Sequence, residues 1–247
     1  MHKRVLFTLV ICSISLLSAC SREYNTELMN ASKGGDITAV QNVINRGADI
    51  NQKTNKGKTA LMFAASEGHT KIARLLIEHG AQVDIADSYG TTALIVASTS
   101  GHNEIAALLL EYNANPAARD ESGSSPLVNA VYFGHTKIVE LLLNKEKSSQ
   151  NKTLSKQDGE ELLLLAAGLG HKDIISAMID YGISENARGL KQRTALMAAA
   201  AFNRPEIVKL LLDKGANPDA RDEDGNTALD VANDRNSDKV IVLLRRH

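Results

Sequence analysis

Four histidines, His69, His102, His135 and His171, each follow a glycine, and three aspartates, Asp87, Asp120 and Asp222, precede turn glycines at equivalent places. Imidazoles in series could ligate zinc or move protons, and facing carboxylates could work as acid and base. The steps between the histidines, 33, 33 and 36 residues, instead distribute them one per repeat. Stacked helices lie about 8–10 Å apart, whereas zinc ligands sit about 2 Å from the metal, so such a ladder cannot close around one ion. The expected role of each imidazole is a hydrogen bond local to the turn between paired helices. The aspartates, two of them preceded by Arg119 and Arg221, are expected to close Asx-type turns. Gly34 and Gly35 lack the lysine and Ser/Thr of a phosphate loop, and neither a nucleophile elbow nor an HExxH motif occurs. The expectation is a chain that is not an enzyme and needs no cofactor or metal.

The elements that carry these residues follow from an internal period. Thr59-Ala60-Leu61 returns as Thr92-Ala93-Leu94, Ser125-Pro126-Leu127, Thr194-Ala195-Leu196 and Thr227-Ala228-Leu229, with a degenerate Glu161-Leu162-Leu163 between the third and fourth. In one period Leu61, Ala64 and Ala65 share a helix face, and Ile72, Leu75 and Leu76 lie at helical spacing on a second helix. Thr59 and Thr70 are suited to cap helix N-termini, and Gly80, Gly182 and Gly215 to the left-handed position after a helix. Helices of about ten residues are marginal alone, so each pair must stack on its neighbours. The composition agrees: 43% hydrophobic residues with only 4% aromatics favours short packed helices over a sandwich or barrel.

This pattern resembles the ankyrin-repeat family, most closely over 57–84 (GKTALMFAASEGHTKIARLLIEHGAQVD) and from Ile207 to Asp222. The resemblance implies an all-α solenoid of about seven helix-turn-helix units with short hairpin tips, over residues 24–247. Units are expected to start near Tyr24, Gly57, Gly90, Gly123, Gly159, Gln192 and Gly225. The usual histidine after the Thr-Pro-Leu triplet is replaced by Met62, Ile95, Val128 and Met197. Asn144 to Asp158, rich in Lys, Ser, Gln and Asn, is expected to be an exposed, mobile loop before a weak fifth unit.

The first residues read as an address. His2, Lys3 and Arg4 precede a mostly apolar run of thirteen residues, Val5 to Leu17. A membrane span needs about 20 residues, so this run reads as the core of an export signal. Leu17-Ser18-Ala19-Cys20 resembles the lipobox of bacterial lipoproteins, which implies cleavage of 1–19, acylation of Cys20 and a lipid-anchored protein facing the periplasm. Ser21 resembles outer-membrane sorting. Cys12 leaves with the signal, so neither an intramolecular disulfide nor cysteine-ligated zinc is expected. Residues 20–25 form a tether; the five after Cys20 reach at most about 18 Å, which keeps the folded body close to the bilayer.

Twenty-eight Lys and Arg against 29 Asp and Glu give a net charge of −1, too little positive field for nucleic acid. A protein partner is expected. Ankyrin-like proteins present side chains from turn tips and first-helix ends, and those slots nominate a partner-binding set. Tyr132, Phe133, Leu169 and Phe202 make an apolar centre; Tyr89, Lys56, Lys58, Glu121, Lys191 and Arg193 make a mixed-charge rim. The alternative for Phe133 and Phe202 is burial in the core between repeats. Resemblance to envelope ankyrin lipoproteins implies an immunity protein that neutralises a phospholipase-type toxin. An accessory factor for a periplasmic enzyme such as a catalase, or a structural envelope tether, remains open. The unbound chain is expected to be a monomer.

Overall fold

The computed structural model describes residues 26–148 and 152–246. The export signal, the lipobox with Cys20, the tether, Asn151 and His247 lie outside the described residues. Contacts divide the chain into two units, ending and beginning at Gly123 and Ser124. The first unit holds α1 (26–34), α2 (Ile37–Asn45), α3 (Ala60–Glu67), α4 (Thr70–Glu78), α5 (Ala93–Ser100) and α6 (Asn103–Glu111). The second holds α7 (Pro126–Tyr132), α8 (Thr136–Ser148), α9 (Lys156–Leu169), α10 (Lys172–Tyr181), α11 (Ala195–Ala201), α12 (Pro205–Asp213), α13 (Ala228–Asp234) and α14 (Asp238–Leu244). Among the described residues no strand forms, only an isolated bridge between Arg188 and Thr194.

The first helix of a repeat starts where a hydroxyl can replace a missing backbone acceptor. Thr59, Thr92, Ser125, Thr194 and Thr227 accept the N–H of the residue three places on, at 3.2–3.4 Å. Ser155 does the same for α9 at 3.0 Å. Thr70 does not act this way. It is already the first residue of α4, behind an N-cap His69 that makes no side-chain cap bond, and its hydroxyl donates to Glu104 instead. Gly80, Gly182 and Gly215 all take positive φ after second helices, the conformation a side chain disfavours.

Within each unit, first helices form one layer and second helices another. In the first unit α3 packs on α4 and α5, and α4 on α6; in the second, α9 lies between α7 and α11, while α10 joins α8 to α12. Alanines on the first helices, among them Ala64, Ala97, Ala130, Ala166 and Ala199, are fully buried and let the helices approach. Ile72, Leu76, Ile105, Leu109, Ile138, Ile174 and Leu211 fill the space between the layers. Burying each of these larger side chains contributes about 1.5–3 kcal/mol, which helices of nine to thirteen residues need to persist.

The stretch from Asn144 to Asp158 differs from the expected exposed loop. Helix α8 continues through Ser148 and α9 begins at Lys156, so Gly159 is a buried residue inside a helix. Glu146, buried on α8, explains how the chain returns. Its carboxylate accepts the Thr153 N–H, the Thr153 hydroxyl and the Leu154 N–H. A buried carboxylate needs such donors, and here they fasten the start of the fifth repeat to the fourth.

Candidate protein-binding surface

The histidine ladder is structural, but it is not local to the turn. His69 Nε2 meets the carbonyl of Lys33 at 3.0 Å, His102 that of Ser66 at 2.9 Å, and His171 that of Tyr132 at 3.3 Å. A carbonyl only accepts, so each Nε2 carries the proton and donates to the preceding repeat. The acceptors sit in the last turn of a first helix, where carbonyls lack helical partners. Gly68 makes room for the ring of His102: a Cβ there would lie 2.7 Å from its Cε1. In the sixth repeat Arg204 takes the histidine's place, and its Nε donates to the Gly168 carbonyl at 3.0 Å. Among the described residues no group of three or more His, Cys, Asp or Glu could hold a metal ion.

The aspartates close turns, as their spacing predicts. Asp87 Oδ1 accepts from Tyr89 N and Thr91 N, and Asp222 Oδ1 from Asp224 N and Asn226 N. Asp120 accepts from the Ser122 N–H and hydroxyl. Arg119 and Arg221 donate to the carbonyls of Gly123 and Gly225 across their own tips. In the first unit neighbouring tips are joined through backbone: Ser88 N donates to the Lys56 carbonyl and Glu121 N to the Tyr89 carbonyl. Lys56, Lys58, Tyr89 and Glu121 are thus exposed side chains on ordered turns.

The sixth tip is built differently, and sequence reasoning missed how. Its aspartate slot is Gly189 and its glycine slot is Gln192, so Lys191 and Gln192 both sit at positive φ, 57° and 56°. Glu161 on α9 takes the Leu190 N–H at 2.8 Å, the N–H that at other tips, as at Ser88 and Glu121, donates to a carbonyl of the preceding tip. Arg188 donates to the carbonyls of Gln192 and Arg221, and Arg193 lies 3.8 Å from the buried carboxylate of Asp222. Lys191 and Arg193 are exposed, and Leu190 between Gly189 and Lys191 is 71% exposed. A fifth unit without its own hairpin tip, leaving Glu161 inside a helix instead of at an N-cap, was the available signal.

The ends of the first helices decide where an apolar surface lies. In the first unit these slots hold Ser66, Glu67, Thr99 and Ser100. In the second, Tyr132, Phe133 and Phe202 are 54%, 50% and 65% exposed, so none folds back into the core. Tyr132 and Phe133 meet edge to face with centroids 5.0 Å apart, and Phe133 lies over the His135 ring at 6.3 Å. Leu169, closing α9, is half-buried. The Phe202 ring leans back on the preceding first helix, α9, with Cδ2 3.1 Å from where a Cβ on Gly168 would sit. Exposed aromatics gathered on one layer are the usual content of an interface centre.

Two cavities among the described residues are small. One in the first unit, near Lys33, Met62, Phe63 and Val96, holds about 180 Å³. One between α8 and α10, near Glu140, Leu143 and Tyr181, holds about 220 Å³. Both fall below the roughly 300–1,000 Å³ of drug-sized pockets. Burial raises the Tyr181 phenol above its ordinary value, and the nearby Glu146 charge adds to this, so the hydroxyl stays protonated.

Family profiles described as "Ankyrin repeats (3 copies)" match residues 28–120 and 114–189, and one described as "Ankyrin repeats (many copies)" matches 178–232. The curated proteins contain no match. Among solved structures, the human ASB11 ankyrin repeat domain is 28% identical with a TM-score of 0.74, over 88% of this chain and 96% of that one. The ankyrin repeat domain of Bcl-3, a member of the IkappaB protein family, is 25% identical with a TM-score of 0.72, over 89% and 97%. With helix pairs, tips and an open first-helix layer in the places these profiles describe, the chain belongs to the ankyrin-repeat family, whose repeats serve as protein-binding scaffolds.

Proposed function

We propose that the chain is a non-catalytic, lipid-anchored scaffold on the periplasmic side of a bacterial membrane, which binds and neutralises a phospholipase-type toxin. The observation that carries the binding part is the exposed row of Tyr132, Phe133 and Phe202 on the first-helix layer of the second unit. Rings of this size at least half in water represent apolar area that a partner gains by covering. In the same unit the exposed tip charges of Lys191 and Arg193 suit a protein's polar rim. No helix among the described residues is long and apolar enough to cross a membrane.

Anchoring rests on the likeness of Leu17 to Cys20 to a lipobox. Several acyl chains at about 0.8 kcal/mol per buried CH₂ hold a protein on a bilayer far more firmly than one myristoyl group. A short tether then keeps the scaffold where an enzyme attacking lipid has to dock, which favours toxin neutralisation over the other envelope roles. Capture from detergent-solubilised envelopes, followed by assay of the captured hydrolase with and without the scaffold, tests this reading. Recovery and inhibition of a lipase is the expected result. Recovery of a catalase with unchanged activity would replace it with the accessory role, and capture without effect on any enzyme would leave a tether. Cys20→Ala is expected to abolish acyl labelling and release the protein from membranes; persistent labelling would overturn the processing.

A further inference from the structure

The open face of the second unit's first-helix layer has a chemical gradient along it. By repeat spacing, Tyr132 on α7, Gly168 on α9 and Ala201 on α11 are equivalent, as are Phe133, Leu169 and Phe202 beside them. Gly168 has no side chain to keep the Phe202 ring away, and that ring lies against it, so the exposed faces of Tyr132, Phe133 and Phe202 make an apolar patch with small residues between them. None of these six residues is charged. On α13, the next helix of the layer, the slots equivalent to Met197 and Ala201 are Asp230 and Asp234, four residues apart and both exposed. From Arg221 to Arg235 the chain carries five acids and two bases, of which Arg221 acts on Asp230. Hydrogen bonds from Thr227 N and Thr227 Oγ1 hold the Asp230 carboxyl below its ordinary value, so this end of the layer is anionic at any physiological pH.

We infer that this face receives a polypeptide segment of a partner whose aromatic or large apolar side chain packs on the exposed rings of Tyr132, Phe133 and Phe202, and whose lysine or arginine reaches Asp230 and Asp234. The inference rests on the reading of the chain as a protein-binding scaffold and adds what the partner must present. Charge complementarity chooses a basic segment, and the uncharged patch of rings requires an apolar anchor. Two helix spacings of about 10 Å separate α9 from α13. The anchor and the base are therefore about six residues apart in an extended segment, or about thirteen in a helix.

A display library of random 16-residue peptides, selected on the full chain, tests this directly. Enriched peptides are expected to pair Phe, Trp, Leu or Met with Lys or Arg at one of those two separations. Phe202→Asp is expected to weaken their binding at least 30-fold with helicity unchanged. Selection on Asp234→Lys, an exposed position outside the core, is expected to replace the base by Asp or Glu at the same separation. Peptides without the pairing, a basic preference that survives Asp234→Lys, or an absence of any binder overturns the inference. A captured envelope lipase that binds Phe202→Asp as tightly as the original chain overturns this surface while leaving toxin neutralisation standing. Peptides with the pairing, in a chain that inhibits no hydrolase, support the surface and remove the toxin.

Discussion

At the ends of their first helices the two units carry opposite chemistry on the same frame. The first presents Ser66, Glu67, Thr99 and Ser100; across α7, α9 and α11 the second presents Tyr132, Phe133, Leu169 and Phe202, and only α13 returns to charge with Asp234 and Arg235. Beneath these slots the buried residues are interchangeable in kind: Ala64, Ala65 and Leu76 in one unit, Ala166, Ala167 and Leu211 in the other. Packing therefore fixes the alanines and aliphatics, while the slots just beyond them can vary without disturbing a repeat. That separation lets one half of a repeat array remain polar while another gathers an apolar face.

The sharpest way to break this comparison is to attack the shared frame. Leu109→Ala in the first unit and Leu163→Ala in the second both empty fully buried sites and are each expected to cost about 2–5 kcal/mol in urea denaturation. A loss confined to one of them would mean that the cores are not equivalent. At the surface the units should diverge. Phe133→Asp with Phe202→Asp is expected to weaken partner binding by more than about 2 kcal/mol in calorimetry with helicity intact, whereas Ser66→Asp with Ser100→Asp changes it by less than about 0.5 kcal/mol.

The links between repeats should again behave alike. His102→Ala and Arg204→Ala each remove a donor to the preceding repeat, for about 1–2 kcal/mol of stability, because histidine and arginine do the same work there. At the tips a smaller gain is expected. Gln192→Gly relieves a side chain held at positive φ and should raise stability by about 1 kcal/mol, while Gly90→Gln in the first unit should lower it. Asp230 gives the mildest effect, read by carboxyl NMR titration. Its bonds to Thr227 lower its pKa, so its stabilisation is fully present above the unfolded value of 3.8 and fades as pH falls through the lower folded value. Thr227→Ala removes the hydroxyl donor but keeps the backbone N–H, the larger cause, so it should bring the midpoint only part of the way back toward 3.8.

Much of the frame was legible because it repeats. Hydroxyl caps such as Thr59 and Thr92, Asx turns at Asp87 and Asp222, and glycines such as Gly80 are local devices, visible in one period and checked by the next. Contacts between periods were harder to read. The histidines reach 36 or 39 residues back, and nothing in a single Gly-His pair announces that distance. Arg204 was missed because Asn203-Arg204 replaces Gly-His, although Asn203 takes the same left-handed conformation at φ 50°. The lysine- and serine-rich stretch after Asn144 looked like a loop because its composition is polar. Glu146 supplies a buried carboxylate whose partners lie seven and eight residues ahead, which periodicity cannot show. In the candidate surface, Tyr132, Phe133 and Phe202 were found by comparing slots, whereas Leu190 was overlooked because its tip departs from the pattern that made the slots comparable.

The direction of the histidine and arginine links gives the molecule unequal ends. The second, third, fifth and sixth repeats carry a side chain that reaches back, and the repeat before each of them carries the carbonyl that is reached. Trimming from the N-terminal side leaves a mobile ring or guanidinium that can turn into water. Trimming from the C-terminal side uncovers a carbonyl fixed by its own helix, with no freedom to find a new donor except solvent. Shortened forms that keep the later repeats should consequently be better behaved in solution than those that keep the earlier ones, a bias built in by nothing more than which partner of the bond can rotate.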